Sequence, residues 1–428
     1  MQNTSLPVVP QRTLRTAGDV LGHAPTSSSE RNPVRALYIH VPFCFHKCHY
    51  CDFYSIVDTQ DRQESFVARV EAELAALSPF ARAEPLKSLF VGGGTPSLLA
   101  VPLWERLLVA LAREFDMSQM AAGPGEFTVE CNPETVSPDL MRALRRGGVN
   151  RVSIGAQSFD TRHLKTLERW HDPANVGRAL DLARAAGIER HSLDLIYAVP
   201  GQTLHDWLED LDRAIGLGTE HVSCYALTYE TRTAMTARLE RGQVTRADED
   251  LEADMFLATV DRLRSAGLDR YEVSNFSKPG AECRHNLAYW RQENWLAAGP
   301  SASAHVRGHR WKNIGRLDDY LASPPSFSPI TDHEGPDPKR AILERLMTGL
   351  RLREGVDAGT LLREARALDP DRSDRLSRSA QVQSEAGRLT IRDGRWSLTD
   401  AGMLVADAVI VEFFGALDGP GREKHRAV

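Results

Sequence analysis

From residue 36 onward the chain alternates between two hydrophobic periods. Short runs rich in β-branched, aliphatic and aromatic residues occupy 37–41, 88–91, 126–130, 151–154, 192–196 and 222–227, and 271–274 is read as a seventh. Between them the apolar spacing changes to that of helices. In 64–77, Phe66, Val67, Val70 and Leu74 fall on one face, which predicts an amphipathic helix. Ser137 before Pro138, with Gly147-Gly148 downstream, predicts a second helix with an N-cap and a glycine stop. Strand–helix units repeated in series need a parallel sheet, and six or more favour an α/β barrel or partial barrel.

The pattern divides the chain. Residues 1–34 are rich in Ser, Thr, Pro and Gly without apolar periodicity and read as a disordered leader. The partial barrel takes 35–322, and 323–338 is a Pro-rich linker by composition. Beyond it, 340–352 and 358–367 are helical, 387–391 and 395–398 form a hairpin around Asp393-Gly394, and a last helix starts at Thr399. Helices followed by a small hairpin predict a winged-helix-like domain over 339–418, before a polar tail at 419–428. No basic recognition stripe accompanies it, so nucleic acid is not an expected partner.

Composition narrows the class. With 52 Lys and Arg against 58 Asp and Glu, 42% hydrophobic residues and 26% charged, the chain reads as a mildly acidic globular protein. No stretch approaches the roughly 20 apolar residues of a membrane span. Nothing near the N-terminus has the basic-then-apolar form of a secretory signal, so a cytoplasmic setting is expected. Six cysteines are too few for a disulfide scaffold, and three of them crowd together.

Those three are Cys44, Cys48 and Cys51, spaced C-x3-C-x2-C directly after the first strand. Three thiolates on one loop can hold three corners of a metal centre. A 4Fe-4S cluster held this way keeps one iron open to a small molecule. Structural zinc, with His46 or His49 as fourth ligand, is the alternative. Other strand ends are also chemically marked. The second runs into Gly92-Gly93-Gly94-Thr95-Pro96, where backbone can approach a ligand closely. The third ends at Glu130. Asp194 lies inside an apolar strand, where a charge is costly unless paired with an arginine or bound to a ligand. Cys131 and Cys224 read as small packed hydrophobes.

The triplet, with the aromatic Tyr50 before its last cysteine, resembles the signature of radical S-adenosylmethionine (SAM) proteins. The wider strings 38–44 and 47–53 resemble the heme-chaperone branch, often grouped with the oxygen-independent coproporphyrinogen III oxidases. The resemblance implies a 4Fe-4S cluster on Cys44, Cys48 and Cys51, with SAM at the open iron. Electron transfer into that SAM would break a sulfur–carbon bond. It implies SAM contacts from Tyr38, Tyr50, Gly93, Gly94, Thr95 and Glu130. Gln157, Arg169, Asp194 and Ala226 match a second SAM site of the oxidases. Ala198 stands where the family more usually has glycine.

Cys283-Arg284-His285-Asn286, continuing to Tyr289-Trp290, resembles the motif that marks the heme chaperones. It implies His285 as an axial ligand, Tyr289 and Trp290 as aromatic surface, Cys283 as an accessory ligand, and His305 as a second ligand candidate for heme as bound cargo. The oxidases carry a further cysteine two positions after the third, where this chain has Phe53. The expected function is therefore heme delivery, with radical SAM machinery but without true coproporphyrinogen III dehydrogenase activity; the oxidase is the alternative. Expected partners are an electron donor and a heme-accepting apoprotein such as a respiratory heme protein. A membrane would be met by peripheral association, without a transmembrane segment.

Overall fold

The computed structural model describes residues 15–22 and 32–418. Six strands follow one another in parallel: β1 (Ala36–Val41), β2 (Ser88–Gly93), β3 (Glu126–Cys131), β4 (Arg151–Gln157), β5 (Arg190–Tyr197) and β6 (His221–Ala226). Each is joined to the next through helix, as parallel pairing requires. The helix Gln63–Leu77 buries Phe66, Val67, Val70 and Leu74. Ser137 caps the helix Pro138–Arg146 by accepting the Leu140 amide, and Gly147 ends it.

The sheet continues past this run on both sides. After β6 come the short antiparallel pair β7 (Asp269–Arg270) and β8 (Asn275–Ser277). The expected strand at 271–274 is therefore a connection between two strands. Glu272 accepts the Ser274 amide there, and that local bond bends the chain away from the ladder. At the other edge, β9 (Trp295–Ala298) pairs in parallel with β1, followed by β10 (Ser303–Val306), β11 (His309–Asn313) and β12 (Ile330–Glu334) in antiparallel order. Among the described residues the order is β12-β11-β10-β9-β1-β2-β3-β4-β5-β6-β8-β7, an open curved sheet and so a partial barrel.

Two of the expected boundaries change. The 323–338 segment is more than a linker, because β12 lies in it and pairs with β11; its prolines flank an edge strand, where a missing amide is tolerated. Residues 15–22, inside the expected disordered leader, form the helix Ala17–Leu21 with a Thr16–Asp19 capping box. Ala17 and Leu21 are buried, and Thr16 bridges Pro329. Two apolar anchors four apart escape a reading that asks for longer periodicity. The rest of 1–31 and the 419–428 tail lie outside the described residues.

A buried carboxylate ties the added edge to the barrel. Glu73 accepts the Gly299 amide at 2.9 Å, the Asn313 amide at 3.1 Å and the Tyr320 hydroxyl at 2.6 Å. The C-terminal domain is winged-helix-like: β13 (Val356–Asp357), β15 (Arg395–Leu398) and β14 (Leu389–Arg392) pair in that order beside the helices Pro338–Gly349, Ala358–Leu368, Pro370–Glu385 and Ala406–Asp418. Asp393 and Gly394 turn the hairpin with φ of 51° and 74°. The domain docks on β7, where Asp400 accepts Arg270 at 2.8 Å and Arg264 at 3.1 Å. Among the described residues no helix is long and apolar enough to cross a membrane.

Candidate functional site

Polar residues occupy alternate positions along the parallel strands. Glu126, Thr128 and Glu130 share one face of β3; Arg151, Ser153, Gly155 and Gln157 follow on β4, Ser192 and Asp194 on β5, and Ser223 and Tyr225 on β6. The intervening Phe127, Val129, Val152, Ile154, Leu193, Leu195 and Val222 are fully buried in the apolar core. Alternate side chains of a strand point to opposite faces. The apolar set therefore packs under the helices, and the polar set fills the concave interior. Where this interior meets the C-terminal ends of the strands it opens into a cavity of about 430 Å3.

The cysteine loop forms the rim of that cavity. Cys44 donates its amide to Ile56 at 2.8 Å, and Thr95 donates its amide to Phe43 at 2.7 Å. These bonds stitch the loop to the end of β2. The Thr95 hydroxyl then sits 3.6 Å from the Cys44 sulfur, and an Arg169 guanidinium nitrogen 3.7 Å from the Cys48 sulfur. All three thiols are free and partly exposed. Burial, with added repulsion from Cys48 and Cys44, pushes the Cys51 thiol up to about 11. Three mutually repelling sulfurs aimed into one cavity are a donor set that a cationic centre would relieve.

Spacing separates the two candidate centres. Among the described residues, the set of three His, Cys, Asp or Glu ligand atoms lying within 4.8 Å of one another is Asp160, His163 and Asp206. The cysteine sulfurs are therefore spread wider than tetrahedral zinc, whose Zn–S bonds of about 2.3 Å would draw them closer. Of the two candidate fourth ligands, His46 lines the same cavity, with its Nε2 buried and without a hydrogen-bond partner. His46 stacks on Trp170 with ring centres 4.4 Å apart, and His49 faces Arg238 at 3.2 Å. The spread of the sulfurs fits an iron–sulfur cluster better than zinc.

Most of the SAM residues implied by the sequence converge on this cavity. Tyr50, Gly93, Gly94, Thr95, Glu130, Gln157, Arg169, Asp194 and Ala226 all line it. Gly94 is required by space, because a Cβ would lie 2.6 Å from the Phe43 carbonyl. Glu130 accepts the Gly93 amide at 3.0 Å; burial and then the nearby Asp194 raise its pKa to about 7. Asp194 accepts the Ser153 hydroxyl at 3.1 Å; burial raises its pKa, and Ser223, Arg151, Ser153 and Arg169 oppose that rise. Gln157 takes φ of 63° at a bulge in the β4–β5 register, a device that re-aims a side chain at a strand end. Ala198, where the family favours glycine, has φ of 59°, a backbone region that suits glycine.

Tyr38 is the exception. It lies deeper in the barrel, where its hydroxyl meets His40 at 3.1 Å and its ring stacks near Phe90. Ser153, Arg151 and Tyr225 are cavity residues that the motif reading passed over. Their signal was present as period-two polarity on β4 and β6, which becomes legible once one strand face is assigned to the interior.

The expected heme residues lie elsewhere. His285 is 1% exposed on the helix Arg284–Trp290. One ring nitrogen meets the Ser88 hydroxyl at 3.0 Å and the other the Tyr289 hydroxyl at 2.9 Å. As placed, neither nitrogen is free for iron, and burial lowers its pKa to about 4. Cys283 is fully buried and donates its thiol to Glu126 at 3.2 Å. His305 packs against Trp295 and bonds the Glu293 carbonyl at 3.1 Å. Trp290 is half-buried. From this motif Asn286 reaches the cluster cavity.

Comparison with known proteins gives the family. Residues 38–214 match the radical SAM superfamily, and 337–405 match the HemN C-terminal domain. A heme chaperone HemW of Mycobacterium tuberculosis is 35% identical over 389 residues, covering 89% of this chain and 94% of the relative. The Bacillus subtilis HemW is 31% identical over 387 residues, covering 90% of this chain and 100% of the relative. Among solved structures, the coproporphyrinogen III oxidase HemN of Escherichia coli superposes with a TM-score of 0.76 at 20% identity, covering 89% of this chain and 90% of the other. At that identity the likeness is one of fold.

Proposed function

The chain belongs to the heme-chaperone (HemW) branch of the radical SAM proteins, and from that premise we propose that it binds heme and hands it to an acceptor apoprotein. In this reading Cys44, Cys48 and Cys51 hold a 4Fe-4S cluster with SAM at its open iron. Bound together, these cofactors supply one-electron cleavage of a SAM sulfur–carbon bond. The protein's part is to position and enclose. Thr95 and Arg169 brace two of the sulfurs, Gly93 and Gly94 bring backbone against the ligand, and Glu130 offers a carboxylate to the ribose. A cytoplasmic location, an electron donor and a heme-accepting protein belong to the same reading.

Phe53 carries the choice between chaperone and oxidase. It lines the cavity and is 58% exposed at the position where the resembling oxidases have a further cysteine. A phenyl ring cannot supply the thiol chemistry of that position, although the cofactor pocket around it is kept. The second reading, oxidative decarboxylation of coproporphyrinogen III, draws on Gln157, Arg169, Asp194 and Ala226 all lining one cavity.

An anaerobic comparison separates the two. Reconstituted protein is expected to transfer heme to an apo-hemoprotein and to leave coproporphyrinogen III unchanged with SAM and a reductant. Formation of protoporphyrinogen would overturn the chaperone reading. Cys44→Ser, Cys48→Ser and Cys51→Ser should each abolish a content of about four irons per chain. Stoichiometric zinc in the purified wild type would remove the radical SAM reading altogether.

A further inference from the structure

Residues 15–22 lie as a strap along β12, the strand at one end of the sheet. The Ile330 amide donates to the Arg15 carbonyl at 2.9 Å, and the Ala17 amide to the Ser328 carbonyl at 3.3 Å. The intervening Pro329 carbonyl points the other way and accepts the Ile314 amide at 2.8 Å, so the strap takes the outer side of this edge. Ala17 and Leu21 are buried, and a Cβ on Gly18 would lie 2.5 Å from the Phe327 ring. The remaining contact is a relay of side chains. Arg15 Nη1 stands 3.0 Å from His333 Nδ1 on β12, and His333 Nε2 stands 3.1 Å from His309 Nδ1 on β11. The two imidazoles stack with ring centres 5.4 Å apart and planes 13° from parallel.

This relay admits one arrangement of protons. A guanidinium has donors and no acceptor, so Arg15 must donate, and His333 Nδ1 carries no proton. Neutral His333 then holds its proton on Nε2 and donates it to His309 Nδ1, which leaves the His309 proton on Nε2. Both rings are therefore neutral while the relay is intact. A proton added to His333 sets N–H against the guanidinium, and one added to His309 sets N–H against N–H between the rings. The surrounding charges act in the same direction. Desolvation, then Arg15 of the strap and Arg307 of the β10–β11 turn, lower the pKa of His309. Desolvation, then Arg15, His309 and Arg340 of the helix Pro338–Gly349, lower that of His333, while Glu334 of β12 opposes them. Glu334 is itself shared with Arg310 at 3.7 Å and Arg340 at 4.0 Å.

We propose that the His309–His333 relay makes residues 15–22 a pH-sensitive strap, clasped to the edge of the sheet while both rings are neutral and loosened when either is protonated. Clasped, the strap covers backbone of an edge strand that would otherwise be open to pairing with another chain. A released histidine ionises near 6.5, and the clasped pair below that. As pH falls past 6.5 the open state takes up protons that the clasped state refuses, so the clasp is complete above that value and weakens below it. The strap's own carboxylate does not share this window. Hydrogen bonds from the Thr16 amide and hydroxyl hold Asp19 below its ordinary value, so the capping box stays charged throughout.

Hydrogen exchange of the full-length protein tests this at the Ala17 and Ile330 amides, which close the strap's two backbone bonds. After correction for the intrinsic pH dependence of exchange, both should lose about tenfold or more of their protection between about pH 7.5 and about pH 5.5, while amides of β3 keep theirs. The double variant His309→Gln/His333→Gln keeps polar side chains without a titrating ring, and its protection should agree within about twofold at the two pH values. Arg15→Ala removes the donor and should give, at about pH 7.5, the weakened protection that wild type shows at about pH 5.5. PH-independent protection in wild type would overturn the clasp. So would an undiminished pH response in the double variant, which would place the titrating group elsewhere, or full protection in Arg15→Ala.

Discussion

Arg169 joins the cluster loop to the barrel: one guanidinium nitrogen stands 3.7 Å from the Cys48 sulfur while another donates to the Gly155 carbonyl at 3.1 Å. A single side chain thus sets the distance between the cysteine loop and the strand end. A lysine keeps the charge but cannot make both contacts. Arg169→Ala and Arg169→Lys should therefore both weaken SAM binding by about tenfold or more, with iron per chain retained. Equilibrium dialysis of reconstituted protein against labelled SAM measures it. Full affinity in the lysine variant would mean that charge alone matters.

Gly155 is required by the same contact. A Cβ there would lie 2.8 Å from the Gln157 amide nitrogen and 2.9 Å from the Arg169 guanidinium. Both neighbours are side-chain ends that can move, so Gly155→Ala should fold, with a loss of about 1–2 kcal/mol. It should nevertheless lose SAM affinity, because the residues that move are the ones facing the ligand. Unchanged SAM binding beside a normal far-ultraviolet spectrum would contradict this.

Glu272 gives stability a pH dependence of definite sign. An unfolded glutamate ionises near 4.5, and burial raises the folded value to about 7. Between those values the folded chain keeps a proton that the unfolded chain has released, so stability falls as pH rises through the window. Glu272→Gln removes the dependence. The variant should be more stable than wild type above pH 7, by up to about 3 kcal/mol, and the advantage should shrink towards pH 4.5. Denaturant unfolding at about pH 5 and about pH 8 reads the difference. A gap of equal size at both would show that Glu272 is ionised throughout.

Glu73 holds the β9–β12 extension through its hydrogen bonds. Its carboxylate satisfies Gly299, Asn313 and Tyr320, and Arg69 lies 4.7 Å over the Tyr320 ring. Glu73→Ala orphans all three donors and should cost about 3 kcal/mol or more. Glu73→Gln keeps an acceptor and should cost less. Proteolysis within residues 299–334 of the alanine variant, before global unfolding, is the expected sign of local release.

The strand–helix alternation was legible because its signal is local. Phe66, Val67, Val70 and Leu74 declare a helix face within nine positions, and the cysteine triplet declares itself by spacing. The cavity wall was partly legible. Glu130 and Asp194 stood out as charges at strand positions, whereas Ser153 and Arg151 became meaningful through the shared inward face. What escaped depends on long-range pairing. Residues 15–22 are ordered by contact with Pro329, and β12 by pairing with β11, more than three hundred and about twenty positions away respectively. The heme motif was legible as a motif but not as a place. The sequence cannot tell that both nitrogens of His285 are already engaged by Ser88 and Tyr289.

The helix Arg284–Trp290 has seven residues and a cavity against each side. Any coupling across so thin a partition is thermodynamically reciprocal. If a ligand in one cavity alters the affinity of the other by some factor, occupancy of the other alters retention of the first by the same factor. Asn286 and Arg284, two residues apart and facing opposite rooms, are the shortest line along which such a message would pass.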